Sequence, residues 1–214
     1  MFATDKDLLL LEPNLFRDVA WTGQRLVSGV VQIASGIVKF QSSDVRITDV
    51  GLAPGHIVIV GLTPYEIIEV INDTDATISK VRAGNDDPVI PMADIETDTP
   101  AIIATFAPQT AIVHRQVLRM LGIEPEHPAP GMPTAADITN ARALARLEAL
   151  GSLHLIYSAA GALTPADSPA NQRAELYRRR FSEERARCRV EVDTNNDGLP
   201  DSTRMLNMIQ FTRA

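Results

Sequence analysis

The amino-acid sequence predicts an α+β protein in which a small antiparallel β-barrel or sandwich precedes a helical body that is closed by a β-hairpin. Short β-branched runs separated by turn-forming residues fill most of the first hundred positions. After Pro108 the apolar residues recur with helical spacing instead. Near the carboxyl end, an Asn-Asp-Gly turn lies between two apolar-leaning runs, at 189–193 and 204–211, which is typical of a hairpin. We therefore expect a compact β unit near residues 22–100 that is separable from a helical body.

The composition is that of a globular protein without membrane spans or disulfides. The chain has 214 residues, of which 45% are hydrophobic and 22% charged, and these values argue against disorder. No apolar run approaches the roughly 18–20 residues that cross a bilayer. The run Leu8 to Leu11 ends at Glu12 and Pro13, so it is too short for a secretory signal. Cys188 is the only cysteine, which fits a reducing compartment, and we expect the protein to remain in the cytoplasm where it is made.

The β-rich part divides into strands at its turn clusters. Gly51 to Gly55 and Asn72 to Asp75 are the clearest turns, because Gly, Pro, Asn and Asp tolerate the backbone angles that turns require. Residues 83–100 contain three prolines and five acidic residues, and they predict a loop with at most one edge strand. The predicted strands are 27–31, 33–40, 56–60, 65–71 and 76–81.

Three helices are predicted in the second half. The first covers residues 110–121 and stops at Gly122. After a proline-rich linker, Thr134 is predicted to cap a long helix that ends near Gly161. A further helix is expected from about Asn171 to Arg187. One stripe of residues along this helix, extending to the residue just after its end, is expected to be buried. That stripe consists of Ala174, Tyr177, Phe181 and Cys188.

The last of these helices is unusually basic. Residues 172–190 hold seven arginines and three glutamates, whereas residues 1–110 carry 7 basic and 15 acidic side chains. Such a run of charge is most simply a solvated helix face, although it could also meet phosphate or an acidic protein partner. An acidic chain with one basic helix is a poor candidate for a dedicated nucleic-acid-binding protein.

The turn between the two carboxyl-terminal strands resembles half of a calcium loop. Asp193, Asn195, Asp197 and Asp201 offer oxygen ligands around Gly198. An EF-hand loop needs glutamate at its twelfth position, where this chain has Arg204, and the flanking segments predict strands. We favour a metal-free turn held by local hydrogen bonds, and calcium binding is the alternative.

No residue is a candidate for catalysis. His56, His114, His127 and His154 are too far apart in sequence to form a recognisable metal-ligand pair. Arg187 and Arg189 could lower the pKa of Cys188, but its position on the buried stripe favours a packing role. No phosphate-binding loop, nucleophile elbow or zinc-protease motif is present. We expect neither a cofactor nor a metal.

Several segments resemble, in the same order, the head-to-tail adaptor proteins of tailed bacteriophages. Before the helical body they are DLLLLEPNLF at 7–16, GLAPGHIVIV at 51–60, YEIIEV at 65–70, DTDATIS at 73–79 and TFAPQ at 105–109. The strongest likeness is AELYRRRF at 174–181, followed by a strand and the Asp197-Gly198 hairpin.

This resemblance implies a helical bundle with the small barrel inserted between its helices. Residues 1–21 would pack on the helical body, residues 22–100 would form the inserted domain, and residues 101–214 would form the body with its hairpin. It implies a non-enzymatic virion protein of the neck, assembled in the host cytoplasm as a ring of 12 copies. That ring would bind the portal and the tail or stopper protein and line the DNA channel, where it could contact DNA non-specifically.

Two sets of residues are predicted to make the contacts of such a ring. Arg178, Arg179 and Arg180 would meet an acidic surface of a neighbouring copy. The carboxyl-terminal apolar residues would latch onto the portal, as such segments do in the family that the chain resembles; they are Met205, Leu206, Met208, Ile209 and Phe211. The alternatives are a monomeric small barrel that binds nucleic acid or a ligand, and an enzyme whose site the sequence does not reveal.

Overall fold

A computed structural model describes residues 1–127, 129, 131–195 and 197–206. The protein is α+β, with a closed six-stranded antiparallel barrel, five α-helices and a carboxyl-terminal β-hairpin among these residues. The chain forms two compact units. We call Thr4–Ala107 the barrel unit, and Met1–Ala3 together with Pro108–Ala214 the helical unit.

The barrel unit begins with two short helices and continues into the barrel. The helices are α1 (Asp5–Leu11) and α2 (Leu15–Asp18). The strands are β1 (Gln24–Ala34), β2 (Ile37–Ser43), β3 (Ile57–Val60), β4 (Thr63–Val70), β5 (Asp75–Ser79) and β6 (Ile95–Thr105). They close in the order β1-β2-β5-β4-β3-β6. Alternate residues point inward, and the interior is filled by aliphatic side chains such as Val31, Ile67 and Ile103 together with Phe40.

Strands lie where four of the five were predicted, but the predicted strand 33–40 is divided by the turn at Ser35 and Gly36 between β1 and β2, and the prediction for residues 83–100 was wrong in its last part. Strand β6 is 11 residues long and pairs with both β1 and β3, so it is not an edge strand. Pro100 lies within it and uses its carbonyl to accept a hydrogen bond from the Gly61 N–H at 2.8 Å. Proline removes only one hydrogen-bond donor from the ladder. Ala101 and Ile103, the residues on either side of the outward-facing Ile102, are buried in the barrel.

The helical unit contains three longer helices, α3 (Ala107–Met120), α4 (Arg142–Gly161) and α5 (Pro169–Arg187), of which α3 starts at the last residue of the barrel unit. Helices α4 and α5 pack against each other. Gly151 of α4 permits a close approach, since a Cβ there would lie 2.7 Å from Val113 and 3.0 Å from Phe181. The predicted stripe on α5 is largely confirmed, because Ala174, Tyr177 and Cys188 are buried and Phe181 is partly buried against the same core.

Helix α4 begins seven residues later than predicted, with Ala141 rather than Thr134 at its N-cap. Thr134 does form the predicted capping box with Asp137, but the helix that it caps is a single 3-10 turn at Ala135–Asp137. The chain then runs beside the hairpin, where Ile138 bridges Val192 and the Thr139 N–H donates to the Glu191 carbonyl at 3.0 Å. These long-range contacts outweigh the local helical tendency, and the end at Gly161 is as predicted.

The carboxyl-terminal hairpin consists of β7 (Arg189–Val192) and β8 (Ser202–Met205), paired from Arg189↔Met205 to Val192↔Ser202. The second strand therefore begins two residues before the predicted run 204–211. The rest of that run, from residue 207, lies outside the described residues.

The unit boundaries differ from the predicted domain boundaries. Residues 4–21 and 101–107, both expected in the helical body, belong to the barrel unit, and of the first 107 residues only Met1–Ala3 group with the helical unit. The reason lies in hydrogen bonds to the barrel: the Lys6 N–H donates to the Gly55 carbonyl at 3.0 Å, and the Asp5 side chain accepts from the Phe106 N–H at 2.8 Å.

Candidate interaction surfaces

The arginine face of α5 is exposed and partly neutralised by its own helix. Arg178 donates through Nε and Nη2 to both oxygens of Glu175, at 2.8 and 2.7 Å. This fork raises the pKa of Arg178 and lowers that of Glu175, through the hydrogen bond first and charge attraction second. Arg179 lies a looser 4.0 Å from Glu183, and the guanidinium of Arg180 lies 5.9 Å from the ring centre of Tyr177. Arg179 and Arg180 therefore keep most of their hydrogen-bonding capacity for another partner.

An apolar groove lies on the outside of the barrel unit, next to α2. It encloses about 290 Å³ and is lined by ten residues. The apolar members that define its walls are Pro13, Phe16, Ile59, Leu62, Pro64 and Ile102. Leu62 is 86% exposed and Ile102 41% exposed, so the groove presents hydrocarbon to solvent. Its volume is near the lower end of small-molecule sites, which span roughly 300–1,000 Å³.

The carboxylates of the Asp193–Asp201 loop accept hydrogen bonds from the backbone of the same loop. Asp201 accepts from the Thr194 N–H and hydroxyl at 2.7 and 2.8 Å, and these hydrogen bonds lower its pKa. Asp193 accepts from the N–H groups of Asn195 and Gly198, and the Asp197 N–H donates to the Asn195 side chain at 2.9 Å. This is the arrangement of a self-capped turn, and within the described ranges no group of three or more His, Cys, Asp or Glu residues is disposed to hold a metal ion.

The predicted carboxyl-terminal contact residues divide into two groups. Leu206 is only 6% exposed and belongs to the core of the helical unit, so its prediction as a surface contact was wrong. Met205 is half-buried and is paired with Arg189 across the hairpin. Met208, Ile209 and Phe211 lie outside the described residues.

A buried glutamate that the sequence did not reveal anchors the amino terminus within the helical unit. Glu148 of α4 has no exposed surface, and one of its oxygens accepts from the backbone N–H groups of Phe2 and Ala3 at 2.8 and 3.0 Å. Its other oxygen lies 2.6 Å from Nδ1 of His114. Phe2 in turn contacts the His114 ring edge-on, with centroids 4.9 Å apart. The only sequence signal was a glutamate within the apolar run of α4.

The barrel unit contains a second buried glutamate with different partners. Glu66 of β4 is fully buried, and Arg82 approaches it with Nη2 at 2.9 Å, Nε at 3.3 Å and its backbone N–H at 3.1 Å. The Lys6 ammonium lies 3.7 Å away and also donates to the Asn85 side chain. Nearby, Asp5 has its pKa raised by burial, an effect that hydrogen bonds from Thr105 and Phe106 partly oppose.

Cys188 and the remaining histidines do not form a reactive centre. Burial, with a smaller contribution from Glu184, raises the pKa of the Cys188 thiol, so the neighbouring arginines do not activate it. His56 contacts the Ala53 backbone and His154 contacts the Ala174 carbonyl. Each therefore stabilises local structure.

Among the described residues, no helix is both long and apolar enough to span a membrane. Comparison with known proteins finds no matching family model, no matching curated protein and no matching solved structure.

Proposed function

We propose that this chain is a structural virion protein, a head-to-tail adaptor that forms a ring of identical copies between the portal and the tail or stopper. In this proposal it catalyses no reaction, resides in the neck of the particle, and lines the channel through which DNA passes. The ordered sequence likeness described above supports it. So does an α+β organisation that combines a small closed barrel with helices.

The uneven charge of the two units is the observation that carries the proposal. The barrel unit holds 7 basic and 15 acidic residues, whereas the helical unit holds 13 and 12. Subunits that meet head to tail in a closed ring need two different and complementary surfaces on one chain. An acidic barrel unit and an exposed arginine helix meet that requirement.

The finer architecture is part of the same proposal. Met1–Ala3 group with the later helices while Thr4–Ala107 form the barrel unit. The chain therefore leaves the helical unit after three residues and returns to it at Pro108, which fits a barrel inserted near the amino end of a helical bundle.

Ring formation is tested by native mass spectrometry and negative-stain electron microscopy of the purified chain, alone and with a portal ring. We expect rings of 12 copies, formed by the chain alone or on the portal. A chain that stays monomeric under both conditions would contradict the proposal.

We assign the portal latch to residues 207–214, since Leu206 belongs to the core. A chain truncated after Leu206 should fold normally but lose portal binding, because Met208, Ile209 and Phe211 are removed while the hairpin is kept. Co-sedimentation with portal measures this. A second variant, Met208→Ser/Ile209→Ser/Phe211→Ser in the full-length chain, should also lose portal binding. Normal portal binding by both variants would exclude the latch.

The apolar groove supports a second candidate function, a barrel that binds a ligand as a monomer. Leu62→Asp and Ile102→Asp both place a carboxylate in the groove at exposed positions. If the groove is a ligand site, either variant should lose binding of a hydrophobic fluorescent probe without loss of stability. Probe binding that is equal in wild type and both variants would remove this candidate.

A further inference from the structure

The outward face of β6 changes character along the strand. Glu96, Thr97, Asp98 and Pro100 are exposed and Ile102 is 41% exposed, while Ala101 and Ile103 on either side of Ile102 are 2% and 1% exposed. Since alternate strand residues point to opposite faces, Pro100 and Ile102 share the outer side of the barrel wall. Glu96 and Asp98 are exposed in the adjoining stretch, where the pairing of β6 with β1 shifts register between Val31 and Ile33. We call Glu96, Asp98, Pro100 and Ile102 the β6 face.

The acidic end of the β6 face makes no ion pair among the described residues, although Lys39 of β2 lies opposite Gln32 in the neighbouring part of the sheet. Residues 83–107 contain five acidic residues and no lysine or arginine. The adjoining strand β1 offers Val30 opposite Pro100, and its Gln32 donates to Asp98 at 2.9 Å. The ion pairs found within the described part of the chain include none made by Glu96 or Asp98.

Three consecutive exposed arginines on α5, at 178–180, are the candidates to complement this face. Arg115 and Arg119 of α3 already lie 3.6–4.0 Å from Glu124 or Glu126. Arg179 and Arg180 are exposed, and their contacts within the helix are a 4.0 Å ion pair and a ring stack. The forked guanidinium of arginine binds a carboxylate through two parallel hydrogen bonds. Two carboxylates that are two strand residues apart lie about 7 Å from each other, so each of them can bind its own guanidinium.

From this complementarity we infer that the β6 face of one copy receives α5 of a second copy, with Arg179 and Arg180 opposite Glu96 and Asp98. The inference rests on the proposed ring and assigns the two surfaces that build it. Pro100 and Ile102 would cover the apolar side of the contact, next to the carboxylates. Arg178 contributes less, because Glu175 already occupies two of its donors.

Two charge-reversed variants test the inference. Glu96→Lys/Asp98→Lys makes the β6 face basic, and Arg179→Glu/Arg180→Glu makes α5 acidic. When either variant is alone, each contact between the β6 face of one copy and α5 of the next would bring together two surfaces of like charge. We expect the affinity of self-association to fall on the order of 100-fold. In an equal mixture, the basic β6 face of one variant meets the acidic helix of the other, and the two unchanged surfaces also match. Association should return, in complexes that alternate the two variants, as counted by native mass spectrometry with portal present and absent.

Matched variants control for net charge. Asp49→Lys/Glu69→Lys reverses two exposed carboxylates of the barrel unit away from β6, and Arg119→Glu/Arg142→Glu reverses two exposed arginines away from α5. Both should assemble like wild type, and assembly by wild type should weaken as salt is added. Wild-type rings together with normal assembly of both test variants would overturn the inference and leave the adaptor proposal standing. A mixture that fails to assemble while wild type does would also overturn it. A wild-type chain that never assembles would overturn both.

Discussion

The two units each bury one glutamate completely, and they neutralise it in different ways. In the barrel unit, Glu66 faces the guanidinium of Arg82 and the amine of Lys6. In the helical unit, Glu148 faces two backbone N–H groups and His114. A charged carboxylate is costly to bury without compensation, so both arrangements join distant parts of the chain around one side chain. The contrast teaches that the barrel unit depends on an ion-pair network, whereas the helical unit depends on hydrogen bonds from the amino terminus.

Replacing Glu66 tests the ion-pair side of this comparison and should have the largest effect. Glu66→Ala leaves the buried Arg82 and Lys6 without their counter-charge, so we expect the barrel unit to lose about 3–5 kcal/mol of unfolding free energy. Hydrogen exchange measured by mass spectrometry over β4 and β5 would report it. Glu69→Ala, on the exposed side of the same strand, is the control and should change stability little.

Replacing Glu148 tests the hydrogen-bonded side. Glu148→Ala removes the acceptor for two N–H groups and for His114, and a loss of about 2–3 kcal/mol is expected in the helical unit. Glu148→Gln keeps one oxygen for the Phe2 and Ala3 N–H groups, so it should lose less than the alanine variant. Faster hydrogen exchange in α4 and residues 2–3 measures both. A larger loss in Glu148→Ala than in Glu66→Ala would reverse the comparison between the units.

Asp5 sharpens the comparison, since it is a buried carboxylate whose pKa is raised chiefly by desolvation. A carboxylate with a raised pKa in the folded state stabilises the fold below the unfolded pKa, near 3.8, and loses that contribution as pH rises through the folded pKa. Asp5→Asn should therefore gain stability relative to wild type as the pH rises from about 4 to 7. Urea unfolding at both pH values measures the difference, and a difference independent of pH would contradict the assignment.

Much of the fold could be predicted from the sequence, because local signals and long-range contacts agree over most of the chain. The strands around Val31, Ile59 and Ile67 follow β-branched runs, and α5 follows its apolar spacing. Where the two disagree, the prediction failed. Pro100 suggested a loop but lies inside β6, and Thr134 suggested a long helix although Ile138 pairs with β7 instead.

The candidate surfaces were predictable only in part. The exposure of Arg178, Arg179 and Arg180 followed from the helical pattern, and so did the burial of Cys188. The contacts of Glu148 and Glu66 did not, because their partners lie up to 146 residues away in sequence. Leu206 was mistaken for a surface residue since an apolar side chain near a terminus has the same sequence signal in either environment.

Closure of the barrel has a consequence for how copies of this chain can associate. Every strand of the barrel has a hydrogen-bonded neighbour on both sides, so this sheet offers no free edge to which a strand of another copy could add. Open edges are the usual route by which crowded β proteins polymerise without limit. A barrel without edges can meet its neighbours only through side chains, whose shape and charge determine where association stops.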